Sequence, residues 1–342
     1  MKVFVTGGAG YVGSACLRLL LKEGHDAVAF DNLHKGHREA VPQDRLIVGD
    51  IHDAAALIRG MKEHGSEAVM HFAAATDVGE SVAMPDYHYG NNIGGTLSLL
   101  QAMRVVGVRR MLFSSTCATY GDNPTPPMNE DAEQIPCSPY ARTKLAVEWL
   151  IRDFAHAYGL GFTLLRYFNA AGGDADGEHG EDHDPELHLI PLVLQVALGK
   201  RQKILLFGDD YPTPDGTCIR DYVHTADLAS AHLLAIAATT PETAEVYNVG
   251  TGQGQSVRQI HQACERVTGA SIPIEVAARR VGDAPALVAD PKKLKTRLGW
   301  TPKYPDIHAV IESAWQWHRR HPNGYAGNAG HDGMVNASRL PE

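Results

Sequence analysis

The stretch Lys2-Val3-Phe4-Val5-Thr6-Gly7-Gly8-Ala9-Gly10-Tyr11-Val12-Gly13-Ser14 decides the fold. An apolar, β-rich run passes directly into glycines at 7, 10 and 13. A helical pattern follows, with Ala15, Leu17, Leu19 and Leu20 on its apolar face and Gly24 at its end. Strand, tight turn and helix in that order form a phosphate cradle. Gly7 permits the turn, Gly10 lets backbone approach a pyrophosphate, and Gly13 allows the helix to pack on the strand, while N–H groups of the first helical turn face the anion. Asp31 closes the next β-rich run, where a carboxylate can accept hydrogen bonds from adenine ribose hydroxyls and repel a 2′-phosphate. The expected cofactor is therefore NAD rather than NADP.

Outward from this loop, β-rich runs at 3–5, 27–30, 46–48, 68–72, 111–113 and 162–165 alternate with helical patterns at 14–23, 53–63, 94–106 and 139–157. That alternation predicts an α/β fold with a doubly wound parallel sheet of the Rossmann type. Asp50, at the end of the third run, is expected near the adenine. The rhythm is lost near Gly172, so residues 1–172 are read as the cofactor domain and 173–322 as a smaller, mixed α/β C-terminal substrate domain. A helix at 227–235 and a strand at 246–249 are expected to return to the first domain, and the Gly- and Asn-rich 323–342 to form a frayed tail.

The chain has 342 residues, 44% of them hydrophobic, and a formal net charge of −9. This suffices for a large core and argues against nonspecific attraction to nucleic acid or anionic membrane. Cys16, Cys117, Cys137, Cys218 and Cys264 stand singly, without metal-binding or disulfide-framework spacing, which fits a reducing compartment. The strand-like start leaves no charged leader, and no apolar run is long enough to span a bilayer. A cytoplasmic location is the expectation.

Ser138-Pro139-Tyr140-Ala141-Arg142-Thr143-Lys144 combines a capping Ser with Pro at the first helical position. Tyr140 and Lys144 then share one helix face. An unperturbed phenol titrates at about 10, and bringing it near neutrality asks for about 4 kcal/mol, which Lys144 and an oxidised nicotinamide could together supply. Tyr140 is thus the candidate base. The fifth strand ends in Phe113-Ser114-Ser115-Thr116-Cys117-Ala118-Thr119-Tyr120-Gly121, and strand ends face the ligand crevice in such a sheet. One of these hydroxyls could bond the reacting oxygen.

The glycine loop, the strand end and the Tyr140/Lys144 pair together resemble the extended short-chain dehydrogenase/reductase family, and within it the sugar-nucleotide 4-epimerases. Further matches include Asn91-Asn92, 166–169, 211–217, 220–222 and 279–283. The dehydratases of that family carry an Asp-Glu pair after the Thr, whereas this chain has Cys117-Ala118, which cannot protonate a leaving hydroxyl. The resemblance implies Thr116, Tyr140 and Lys144 as the catalytic set. It assigns Gly7, Gly10, Tyr11, Val12, Gly13, Asp31, Asn32, Leu33, Asp50, Ile51, Phe72, Ala73, Ala74, Asn91 and Phe168 to NAD, together with Tyr140 and Lys144. To a UDP-sugar it assigns Thr116, Tyr140, Asn169, His188, Leu205, Phe207, Arg220, Arg280, Asp283 and Leu287. Two arginines suit a diphosphate, and Phe207 could stack on uracil.

The implied reaction is interconversion of UDP-galactose and UDP-glucose through a 4-keto intermediate, with NAD tightly held. Three positions depart from the relatives: Thr76 where some have Lys, His188 where some have Asn, and Leu287 at the gate of the sugar pocket. Leu287 leaves UDP-N-acetylhexosamines open as alternative substrates, and UDP-pentoses stay open because pocket volume is not legible in sequence. Elimination or decarboxylation lacks its acid pair, and a catalytically silent NAD-binding regulator is the alternative of a different class. Homodimers are expected from the resemblance, through helices near 94–106 and 145–158. The acidic, histidine-bearing 178–188 matches no recognised ligand spacing, so no metal is expected.

Overall fold

The computed structural model of the chain describes residues 1–121, 126–280 and 283–325. Its strands are β1 (Lys2–Thr6), β2 (Asp26–Asp31), β3 (Leu46–Val48), β4 (Ala68–His71), β5 (Arg110–Thr116), β6 (Gly161–Tyr167), β7 (Asn169–Ala171), β8 (Ile204–Phe207), β9 (Ile219–His224), β10 (Ala244–Val249), β11 (Gly254–Ser256), β12 (Ile274–Ala277) and β13 (Ala286–Leu287). Its α-helices are α1 (Tyr11–Lys22), α2 (Ala54–His64), α3 (Val78–Ala83), α4 (Pro85–Tyr89), α5 (Gly95–Val106), α6 (Pro139–Tyr158), α7 (Leu189–Ala197), α8 (Thr225–Ala238), α9 (Val257–Thr268), α10 (Lys292–Leu298) and α11 (Ile307–Arg320).

Seven parallel strands form the main sheet in the order β3-β2-β1-β4-β5-β6-β10. β4 and β5 are buried along nearly their whole length because helices cover both faces of the sheet. Leu17 and Leu20 of α1 pack with Leu228 and Ile236 of α8 on one face. Leu57 of α2, Leu99 and Met103 of α5, and Val147 and Ile151 of α6 cover the other. Successive connections run outward from β1 through β2 to β3, then return to β4 on the opposite side of β1. Their divergence opens a crevice at the carboxyl ends of β1 and β4.

The six expected strands and the helices between them are all present, and β10 and α8 pack with the first lobe. β10 completes the sheet by pairing Val246 with Leu164 and Val249 with Tyr167. Residues 173–322 therefore do not form one separate block. The second lobe holds a β8–β12 pair, a small sheet of β7, β9, β11 and β13, and a core between α7, α9 and α11 built on Val193, Leu194, Ile260 and Ile311. The start of the expected tail is docked: Tyr325 is buried against Trp317, and its N–H donates to Asp182 at 2.9 Å. The remainder, 326–342, lies outside the described residues.

A buried ion pair fixes α6 to the sheet. Arg166 of β6 grips Glu148 of α6 through Nε to Oε1 at 2.9 Å and Nη2 to Oε2 at 2.6 Å, with both side chains almost fully inaccessible. Arg166 also donates to the Tyr120 hydroxyl, which donates to Asn248 of β10. Removing one partner would strand the other's charge in the core. Glu148→Ala is expected to lose about 3–5 kcal/mol in urea unfolding, and Glu148→Ala combined with Arg166→Met to recover part of that loss.

Candidate active site

The glycine loop divides its labour as the sequence suggested. Gly7 has φ +71°, and a Cβ there would lie 2.4 Å from the Ala73 amide nitrogen. At Gly13 a Cβ would come within 2.1 Å of the Gly7 carbonyl oxygen, so helix and turn touch only because it is absent. Gly10 differs: its Cβ would meet no heavy atom closer than 3.4 Å. Nothing in the protein's own packing demands glycine there, and the open space lies before the start of α1, where Gly10 as N-cap contributes no side-chain hydrogen bond. This is the fit expected of a pyrophosphate cradle.

Asp31 is nearly buried and braces this loop. Its Oδ2 accepts from the Ala9 N–H at 2.9 Å and its Oδ1 from Leu33 at 2.8 Å. Burial pushes its carboxyl above the usual range, against the pull of those two N–H groups and of His37. Leu33 holds φ 62°, a left-handed conformation disfavoured for a branched side chain and stabilised here by that Asp31 bond. Asn32 donates to Asp50 at 2.9 Å, so the residues assigned to the adenine end are joined. Ile51 is buried in the core, where a Cβ on Gly95 would strike it. Phe72 and Ala73 end β4 with N–H bonds to Thr6, placing them beside Gly7. Ala74 follows directly, and Asn91 donates to Asn92 at 3.0 Å in the π-helical turn before α5. Val12 packs into the α1 core.

The Tyr11 side chain is not at this cradle. Its hydroxyl donates to the Gly172 carbonyl and its ring stacks on His179, so only its backbone faces the cofactor loop. The physical reason is that α1 must also bind the second lobe, and the first side chain of the helix reaches it.

On α6, Ser138 caps the helix by accepting from the Ala141 N–H, with Pro139 in the first turn as read. Tyr140 and Lys144 follow on the face turned to β5. Lys144 is 2% exposed, and its Nζ donates to the Ser114 carbonyl at 2.9 Å, 4.8 Å from the Phe113 ring centre. Thr116 ends β5, its Oγ1 accepting from Ala118 N–H at 3.1 Å. The Thr116 side chain lies near the Tyr140 phenol and favours its ionised form.

In the chain without its cofactor, burial pushes the Tyr140 phenol up to about 12, opposed by the nearby Thr116 hydroxyl. Burial likewise pulls Lys144 down to about 7, opposed by Glu148. Lys144 thus sits in the core near the midpoint of its titration at neutral pH, with one of its protons directed at the Ser114 carbonyl.

The residues assigned to the nucleotide sugar gather around β8, β9 and β13. Arg220 Nη1 donates to Ala284 O at 2.8 Å and Nη2 approaches Asp283 at 3.4 Å. Leu287 pairs in register with Arg220 and packs with Cys117 and Phe168, so the sugar gate and the end of β5 share one cluster. Asn169 begins β7 alongside Tyr222. Leu205 lies exposed on β8, and the Arg280 guanidinium sits 3.9 Å above the Phe207 ring centre. One face of the ring proposed to stack on uracil is therefore covered by the arginine proposed for the diphosphate. His188 caps the start of α7 beside Glu181 and Glu186. Of the matched segment 279–283, positions 281–282 lie outside the described residues.

A sequence profile of the NAD dependent epimerase/dehydratase family matches residues 3–250. The UDP-glucose 4-epimerase of Halalkalibacterium halodurans is 48% identical over 327 residues, spanning 95% of this chain and 98% of that one. The chain belongs to the NAD dependent epimerase/dehydratase family. Among solved structures, UDP-glucose 4-epimerase from Brucella ovis in complex with NAD superposes with TM-score 0.89 at 47% identity, over 92% of this chain and 98% of its own. That from Bifidobacterium longum, in complex with NAD+ and UDP, gives 0.91 at 36% identity over 95% and 100%.

Two positioning groups were not identified from residue type alone. The carbonyl of Ser114 holds Lys144, and a backbone acceptor has no residue-type signature. Asn92, 2% exposed, accepts from Ala75 N–H and donates to Ala75 O and Thr143 Oγ1, tying the loop after β4 to α6. Its adjacency to Asn91 was the only hint.

The glycine geometry yields a separable test. Gly10→Ala should leave the melting temperature nearly unchanged yet weaken NAD binding in calorimetric titration by more than about 10-fold, about 1.4 kcal/mol. Gly13→Ala should lose about 1–3 kcal/mol of stability through overpacking.

Proposed function

We propose that the chain interconverts UDP-galactose and UDP-glucose by reversible oxidation at C4 of the hexose, retaining one NAD throughout. The observation carrying this reading is the meeting of the Tyr140 phenol and the Thr116 hydroxyl at the carboxyl end of β5, in the same sheet edge as the open Gly10 cradle. The small residues Cys117 and Ala118 after Thr116 provide no acid for elimination.

Bound, oxidised NAD supplies a hydride acceptor next to the sugar and a positive ring beside the phenol. Gly7, Gly10 and Gly13 with the N-terminus of α1 would hold its pyrophosphate, and Asp31 its adenine ribose. Thr116 accepts and donates at the sugar C4 oxygen, orienting it toward Tyr140. Tyr140 takes the hydroxyl proton as C4 is oxidised to a ketone and returns it after reduction from the opposite face. Lys144, fixed to Ser114, stabilises the phenolate when protonated. Arg220 and Arg280 hold the diphosphate while the hexose turns about its bond to it. The Arg220 contacts to Ala284 and Asp283 support this role, since a pre-anchored guanidinium loses little freedom on binding.

Two copies pair through the outer faces of α5 and α6, where Leu97, Val105 and Trp149 are exposed. A cytoplasmic location is consistent with five free cysteines, and among the described residues no helix is long and apolar enough to cross a membrane.

Tyr140→Phe should lower kcat on UDP-galactose by about 10²–10⁴-fold, with NAD content and melting temperature retained. Full activity in that variant would remove the phenol as base, and a product lighter by one water would replace epimerisation with elimination.

A further inference from the structure

The histidine- and acid-bearing loop between β7 and α7 acquires meaning only once folded. It turns so that Glu181, His183, Glu186 and His188 each direct one oxygen or nitrogen to a common region, these atoms lying within 4.8 Å of one another. His188 Nδ1 is 2.6 Å from Glu181 Oε1, and His183 Nδ1 is 3.3 Å from the same oxygen. His183 Nδ1 stands 3.6 Å from Glu186 Oε2, and His188 Nδ1 3.4 Å from Glu186 Oε1. Ligand atoms bonded tetrahedrally to zinc at about 2.0–2.2 Å are separated by about 3.3 Å, and the distances here bracket that value, so small side-chain shifts would close the quartet around an ion.

The four residues pair in charge, yet buried polar atoms among them remain without a hydrogen bond. Glu181 is 4% exposed, yet neither its Oε1 nor His183 Nδ1 completes a hydrogen bond despite the short approaches. Glu186 Oε1 already accepts from the N–H groups of Leu187 and His188, leaving Oε2 on the side of His183. Without an ion, the two carboxylates hold the His183 and His188 imidazoles above their usual range, so protons balance the charge; a divalent cation would displace those protons and cancel the remaining −2.

We propose that Glu181, His183, Glu186 and His188 bind one divalent transition-metal ion of the zinc class in a closed, structural site. Mixed imidazole and carboxylate donors suit zinc among the common ions, and four protein ligands leave no open position for chemistry. The ion would tie together three parts of the molecule. The Glu181 carbonyl accepts from Trp317 of α11 at 3.1 Å, and Asp182 holds Tyr325. The His183 ring meets Tyr11, the first residue of α1, edge to face at 6.1 Å. With its Nδ1 spent on the metal, the half-exposed His188 would keep only Nε2 for a nucleotide sugar.

The test uses the full chain without a polyhistidine tag, stripped with a chelator and titrated with Co2+ and then Zn2+. One Co2+ per chain should produce the intense visible absorption of a four-coordinate site, and one Zn2+ should abolish it and raise the melting temperature. His183→Ala and Glu186→Gln should each lose the band and weaken Zn2+ by more than about 100-fold, beyond the usual effect of an outer-shell change. The exposed His156→Ala should match the wild type. Metal affinity is read directly, so loss of epimerase activity would not bear on it. Absence of a stoichiometric Co2+ band in the wild type, or a band unchanged in both ligand variants, overturns the proposal.

Discussion

The structure depends on the docking of α6 by two buried charges one turn apart. Lys144 and Glu148 are 2% and 1% exposed, and neither could be there without a fixed partner: the Ser114 carbonyl for one, Arg166 for the other. Together they set the rotation and height of α6 over β5 and β6. Tyr140, one turn before Lys144, is then delivered to Thr116 at the strand end. A surface helix held only by apolar side chains could slide. A helix pinned by buried polar contacts has one register.

The same contacts explain why the site lies between lobes. Glu148 reaches through Arg166 and Tyr120 to Asn248 on β10, the strand that returns from the second lobe to close the sheet. Leu287, paired with Arg220 in the second lobe, packs against Cys117 and Phe168 beside the end of β5. Positions that would grip a nucleotide sugar and positions that would do chemistry on it thus share packing. The two lobes are interleaved, and that interleaving limits the freedom of any sugar held between them.

Local features were legible in the sequence and distant ones were not. The β1–glycine–α1 unit could be read because turn conformation, helix capping and close packing each select a residue type at a fixed offset, and Gly7 and Gly13 meet the steric demands inferred for them. The Ser138 cap and the Tyr140/Lys144 spacing were readable for the same reason. The partner of Lys144 was not, because a carbonyl belongs to every residue. The upward push on the phenol in the chain without cofactor was not legible, because burial, unlike helical spacing, depends on what the rest of the chain lays over it. The side chain of Tyr11 likewise joined the second lobe, a contact between residues 11 and 172 that no local pattern encodes. In the 178–188 loop the acids and histidines were visible, but their convergence on one point was created by the turn.

The central claim is that a phenol and a nicotinamide act on one carbon of a tethered sugar, with hydrogen leaving and returning to that carbon without exchange with water. UDP-galactose carrying deuterium at C4, incubated with the purified chain in ordinary water, tests it directly by NMR of the product. The account predicts UDP-glucose that retains the deuterium at C4. Product carrying solvent hydrogen at C4, or loss of the label to water during turnover, would contradict it.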